Sequence, residues 1–168
     1  IQENYLEYLN EEELEVLHRG SLLHDIGKIG VPADILDKNG KLTDMEEQII
    51  RQHVLWGARI LEPIAAFAEI MPIVMQHHEY FDGSGYPEGL AGEAIHLGAR
   101  IFAVADAFDA LTSYRPYRQA VDYEQAIEII KQEAGKQFDP KVVQAFLEII
   151  TEEKKEDEYA TKHVSESI

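Results

Sequence analysis

Apolar residues recur at three- and four-residue intervals along nearly the whole chain. No run alternates with the two-residue period of a half-buried strand, so the pattern predicts an all-α fold. Asn10, with Glu13 three residues on, makes a capping-box start for a helix that carries Leu14, Leu17 and Leu22 on one face and ends near Gly27. Thr43-Asp-Met-Glu46 repeats that start. The helix after it is predicted to place Ile49, Ile50, His53, Trp56 and Ile60 on one core-facing stripe until Pro63 stops it. Over 64–79 the pattern predicts one or two helical pieces, with Pro72 favouring a new helix opened at its first turn. The stretch 81–92 is dense in Gly and Pro and reads as a loop. Further helices are predicted over 97–111, over 122–131 with Gly135 as its close, and from Asp139-Pro140 past Ile150. The charge run over 152–158 reads as a solvated helix end or tail.

Length and charge narrow what such a bundle does. With 168 residues, 45% of them hydrophobic, the chain fits one domain of ordinary size, with 1–150 as its body and 151–168 as an acidic C-terminal helix or tail. Lys and Arg number 15 against 32 Asp and Glu, a formal charge of −17, which disfavours a nucleic-acid polymer as partner. No cysteine is present, so disulfides, zinc–thiolate sites and thiol nucleophiles are excluded. Any metal chemistry must use His and carboxylates. No apolar run approaches the roughly 20 residues of a membrane span and the first residues lack a signal-peptide layout, so the expectation is a cytoplasmic chain with no membrane segment.

Four separated segments offer such ligands. His24-Asp25 falls where the first helix ends; alone, a pair of that kind is more often a cap or a surface pair. His53 interrupts an apolar stripe, where a hydrogen-bonded core histidine is the ordinary reading. His77-His78 is harder to dismiss, because two adjacent imidazoles are costly to bury unless something accepts their lone pairs. Asp106 sits inside the apolar Ile101-Phe-Ala-Val-Ala-Asp-Ala-Phe108 and calls for a partner. Together His24, Asp25, His53, His77, His78 and Asp106 form a nitrogen-and-oxygen ligand set suited to Fe, Mn, Co or Zn. Asp109 reads as a ligand-orienting group or a backbone cap, with the structural role favoured. His18 and His96 read as surface or packing histidines.

Leu22-Leu-His-Asp-Ile-Gly-Lys-Ile-Gly-Val-Pro32, His77-His-Glu79, Asp82-Gly-Ser-Gly-Tyr-Pro87, Val104-Ala-Asp-Ala-Phe-Asp-Ala-Leu-Thr112 and Arg115-Pro-Tyr-Arg118 together resemble the HD-GYP family of bacterial cyclic di-GMP phosphodiesterases. The resemblance covers about 10–150 and includes the Gly85-Tyr86-Pro87 that separates this family from the wider HD hydrolases. It implies an HD-domain-like helical bundle with a Gly/Pro-rich GYP loop and a centre of two or three divalent ions, Fe or Mn. It carries the ligand role onto His24, Asp25, His53, His77, His78 and Asp106. It further implies that Lys28 lies by the scissile phosphate and that Tyr86, Arg115 and Arg118 hold the cyclic dinucleotide, Arg offering a planar fork of donors to phosphate oxygens. The reaction it implies is attack of a metal-activated hydroxide on phosphorus, in line with the departing ribose oxygen, giving pGpG or GMP. A second reading is a module that binds cyclic di-GMP, or a protein partner through the GYP loop, without turnover.

One departure from the family stands out. Its domains open with a helix, upstream of the His-Asp helix, that supplies a further His; residues 6–9 resemble only the end of it. The C-terminal Asp157-Glu-Tyr-Ala-Thr-Lys-His163-Val-Ser resembles its beginning. Three readings stay open: a circular permutation that lets His163 complete the site, a tail swapped to a neighbouring subunit of a homodimer, and a coincidental match.

Overall fold

Asn10 caps α1 (Glu11–Leu23) as its sequence predicts: its side chain accepts the Glu13 N–H at 3.0 Å, and the Glu13 carboxylate accepts the Asn10 N–H at 2.9 Å. The computed structural model describes residues 9–114 and 120–151. Arg115, Arg118, His163 and most of the acidic tail lie outside the described residues. α1 stops earlier than expected, and a 3-10 turn, Ile26–Gly30, follows the His24-Asp25 corner. Its buried face is also not the predicted one. Leu14 is 48% and Leu22 70% exposed, whereas Gly20 is buried against Ile73. The close approach that Gly20 permits turns the Val16–Gly20–Leu23 side of α1 inward, and leaves Leu14 and Leu17 lining a groove.

After a four-residue helix α2 (Ala33–Leu36), Thr43 caps α3 (Asp44–Arg51) with a second capping box. The single stripe predicted beyond it is interrupted. The helix breaks at Gln52, and α4 (His53–Leu61) buries His53, Val54, Gly57 and Leu61 while Ile60 stays exposed. The cause is a backbone-to-backbone contact. A side chain at Gly27 would put its Cβ 1.9 Å from the His53 carbonyl oxygen and 2.4 Å from the Gly57 nitrogen. The turn after His24-Asp25 therefore lies directly on the start of α4, and this brings Asp25 to His53.

A 3-10 turn, Ala65–Ile70, leads into α5 (Met71–Gln76), which opens with Pro72 in its first turn as predicted. Ile73 and Val74 are fully buried, so this short helix runs through the middle of the domain and delivers His77-His78 at its end. The loop that follows holds one 3-10 turn, Gly92–Ala94. α6 (Leu97–Thr112), α7 (Tyr123–Gln132) and a helix α8 over 140–151 enclose the larger core, built on Val104, Leu111, Ile130, Phe138, Val142 and Val143. Asp139 caps α8 and takes the Arg100 guanidinium at 2.5 Å, an almost fully buried pair that ties α6 to α8. The fold is all-α. Among the described residues there is no strand beyond two isolated bridges, and no helix is long and apolar enough to cross a membrane.

Candidate metal centre

The ends of three elements meet at one point. His24 and Asp25 come from the corner after α1, His53 from the first residue of α4, and His77 and His78 from the end of α5. Each of three imidazoles is held by the carbonyl three residues before it: His24 Nδ1 lies 2.7 Å from the Ser21 oxygen, His53 Nδ1 2.7 Å from Ile50, and His77 Nδ1 2.9 Å from Val74. Those acceptors fix the proton on Nδ1, and the Nε2 lone pairs are left facing inward.

What they face is each other and Asp25. His53 Nε2 lies 3.3 Å from His77 Nε2 and 3.4 Å from Asp25 Oδ1; His24 Nε2 lies 3.1 Å from Asp25 Oδ2. Lone pair against lone pair, as between His53 and His77, repels unless a proton or a metal cation lies between. Asp25 Oδ1 is buried with no hydrogen-bond partner. Ligand atoms of His53, His77 and His78 lie within 4.8 Å of one another. The donor set therefore fits a divalent metal ion.

Electrostatics follow from the same crowding. Burial, with the neighbouring imidazoles, pushes His77 down to about 4 and His78 down to about 2; burial also lowers His53. For Asp25, burial works to raise the pKa, but the bonds from His24 and Lys28 outweigh it and hold it well below the usual range. Burial likewise opposes protonation of His24, but the Asp25 hydrogen bond, the Ser21 carbonyl and the charges of Asp25 and Asp106 together outweigh it, so its pKa is raised. A histidine depressed in the folded state binds fewer protons there than in the unfolded chain. Stability of the metal-free protein is therefore lost as pH falls below the unfolded value of about 6.5 toward 4. His24 pulls the other way, one raised group against three lowered. The urea midpoint of chelator-treated protein is expected to be lower at pH 5 than at pH 7.5, measured in about 0.5 M salt to screen the acidic surface. An equal or higher midpoint at pH 5 would contradict these shifts.

The remaining sequence candidates fall around this point. Lys28 donates to Asp25 Oδ2 at 2.5 Å. Asp106 is outside the cluster of close ligand atoms; with Asp109 it faces a groove of about 550 Å³ between α1 and α6, which His18 and His24 also line. Asp106 is near enough to His24 to contribute to its raised pKa. Asp109 accepts from the Ser113 hydroxyl at 3.0 Å, the structural role. The Tyr86 ring stacks on His78 with centroids 4.8 Å apart, because the loop is laid on the histidine backbone. The Tyr86 N–H donates to the His78 carbonyl at 3.1 Å, and a Cβ on Gly85 would lie 2.2 Å from the Tyr80 nitrogen. Two residues were missed by sequence reasoning. Arg51 lies over the Tyr86 ring, 4.8 Å from its centroid, and no pattern signals it beyond an i,i+4 match with Glu47. Glu79 is 3% exposed, and its carboxylate accepts the N–H groups of Glu88, Gly89 and Leu90. The His-His-Glu run contained it without showing that.

Comparison with known proteins agrees with this geometry. The family model described as HD domain matches residues 6–142. The chain is 44% identical over 141 residues to the cyclic di-GMP phosphodiesterase response regulator RpfG of Xanthomonas campestris, covering 83% of this chain and 37% of that protein. It is 42% identical over 125 residues to the 3'3'-cGAMP-specific phosphodiesterase 3 of Vibrio cholerae, covering 74% and 27%. Among solved structures, Bd1817, an HD-GYP-type protein of Bdellovibrio bacteriovorus, superposes with a TM-score of 0.68 at 22% identity, covering 88% of this chain and 47% of that one; this likeness concerns the fold. An all-helical bundle with converging imidazoles and a GYP loop laid against them defines an HD-type domain, and the chain belongs to the HD domain family. It spans about a third of the length of the curated relatives it matches.

Proposed function

We propose that this domain, residues 1–150 with the acidic segment 151–168 attached, hydrolyses cyclic di-GMP to pGpG, to GMP, or to both. The observation that carries the reading is the convergence of inward-facing Nε2 atoms on the two oxygens of Asp25, with Tyr86 of the Gly-Tyr-Pro loop stacked on the same cluster. Relatives named as cyclic di-GMP phosphodiesterases support the substrate. His24, Asp25, His53, His77, His78 and Asp106 would hold the metal. The two Asp25 oxygens face different imidazoles, so Asp25 would hold metal together with both His24 and His53, in a centre of two ions or, as the larger alternative, three. The sulfur-free donor set suits Fe or Mn. Such ions supply water activation and neutralise charge gathering on the phosphate.

The chain's own residues do the rest. The Lys28 ammonium, already at the Asp25 carboxylate, stabilises charge on a phosphate oxygen or the leaving ribose oxygen. Tyr86, its phenol held protonated by burial, supplies a rigid ring edge beside the reacting phosphate. Arg115 and Arg118 take phosphate oxygens through their forks. The exposed part of the loop is available to a protein partner in signalling.

Elemental analysis of protein purified without chelator, with turnover assayed on the same sample, tests the reading. Fe or Mn at two or more per chain together with release of pGpG or GMP is the expected result. Absence of both after reconstitution, with cyclic di-GMP still bound, would replace the hydrolase by a binding module. Relatives specific for 3'3'-cGAMP make that hybrid the competing substrate to assay.

A further inference from the structure

We propose that Arg51 is a substrate-binding residue that contacts the cyclic dinucleotide beyond the reacting phosphate, an inference that rests on the cyclic-dinucleotide reading above. The Tyr86 ring stacks on the His78 imidazole and has the Arg51 guanidinium over it, each 4.8 Å from the Tyr86 centroid. A ligand whose phosphate sits at the histidines and which extends over Tyr86 meets the Arg51 guanidinium beside that ring. In a chain of formal charge −17 a cation at that place is itself notable, and it stands apart from Lys28, which sits at Asp25 beside the reacting phosphate. Glu47 takes one terminal nitrogen of Arg51 and so fixes the group over the ring. A guanidinium has five N–H donors, so most of the fork is left for a ligand.

Stability does not account for the arrangement. An exposed i,i+4 pair such as Glu47–Arg51 contributes only about 0.3–0.5 kcal/mol, and any Lys or Arg position on α3 would serve it. The geometry instead gives a planar, half-exposed cation held over an aromatic ring that itself stacks on His78. The acceptor it suits is either the far phosphate or the O6/N7 edge of guanine, both of which take two parallel N–H bonds.

Binding and turnover of cyclic di-GMP, 3'3'-cGAMP and cyclic di-AMP by metal-loaded wild type, Arg51→Ala and Arg51→Lys test this. Arg51→Ala is expected to raise KM and Kd for cyclic di-GMP by about 10- to 100-fold, with the loss in KM rather than kcat and metal content unchanged. A loss equal for all three ligands, with a salt dependence shallower by about 1 and recovery by Lys, assigns the phosphate. A loss graded with guanine count and not recovered by Lys assigns the base edge. Wild type that turns over cyclic di-GMP while Arg51→Ala matches it in KM and Kd overturns the proposal and leaves the hydrolase reading standing. Binding without turnover, weakened by the substitution, does the reverse. A wild type that neither binds nor hydrolyses any of the three removes both.

Discussion

Asp25→Ala is expected to empty the metal centre and reduce turnover to below about 1% of wild type, with the helical fold retained. The magnitude follows from what the carboxylate touches. One oxygen lies 3.1 Å from His24 Nε2, the other 3.4 Å from His53 Nε2, and Lys28 donates to it. Without it, inward-facing lone pairs remain but the anion that would balance a divalent ion is gone, and the Lys28 ammonium is left beside the imidazoles. Loss of a group that only orients a ligand costs roughly 10- to 100-fold in metal affinity, so loss of a ligand on this carboxylate's footing costs at least that much. Asp25→Asn separates charge from shape. The amide keeps the volume but points an N–H₂ at Lys28 or at a histidine, so it should lose metal as Ala does. Elemental analysis and cyclic di-GMP turnover on the three proteins read the result; an Asn variant that retains metal and activity would show that Asp25 acts through shape alone.

Capping chemistry made much of the fold legible before any coordinates. Asn10/Glu13, Thr43/Glu46 and Asp139-Pro140 each announce a helix start through local donors and acceptors, and each does so in the structure. Burial was read less well where packing, rather than periodicity, decides it. Leu14 and Leu22 have helical spacing, yet Gly20 lets α1 approach Ile73 and turns another side inward. The predicted stripe fails at Ile60, which is exposed, while Gly27 rests on the His53 and Gly57 backbone and the helix breaks at Gln52. Residue type pointed to His24, Asp25, His53, His77 and His78, which the structure brings together, since few other reasons put two adjacent imidazoles and a buried lone histidine in apolar helices. Residue type could not find Arg51, whose place over Tyr86 depends on how a loop far along the chain folds back.

Glu79→Ala is expected to destabilise the domain by about 3 kcal/mol and to loosen the Gly-Tyr-Pro loop. Glu79 Oε1 accepts the Glu88 and Gly89 N–H groups at 2.7 and 3.2 Å, and Oε2 accepts Leu90 at 3.0 Å. Removing the carboxylate leaves three donors without acceptors around a site that is 3% exposed, at about 1 kcal/mol each on the low side of the usual range, since water can reach the loop from outside. Main-chain bonds such as Tyr86 to His78, Gly92 to Phe81, Asp82 to Lys136 and Phe81 to Gln137 remain, so the loop stays attached while its inner side slackens. Ligand affinity should therefore fall through a misplaced Tyr86, with metal content preserved. Glu79→Gln is the informative comparison. Its single carbonyl can replace Oε1 for Glu88 and Gly89, but its N–H₂ then faces the Leu90 N–H, donor against donor. Urea unfolding should place Gln between wild type and Ala, and hydrogen exchange should show the Leu90 amide faster in Gln while those of Glu88 and Gly89 stay protected. An Ala variant within about 0.5 kcal/mol of wild type would mean that the loop is held from outside, by its bonds to 136–137, and not by the buried carboxylate.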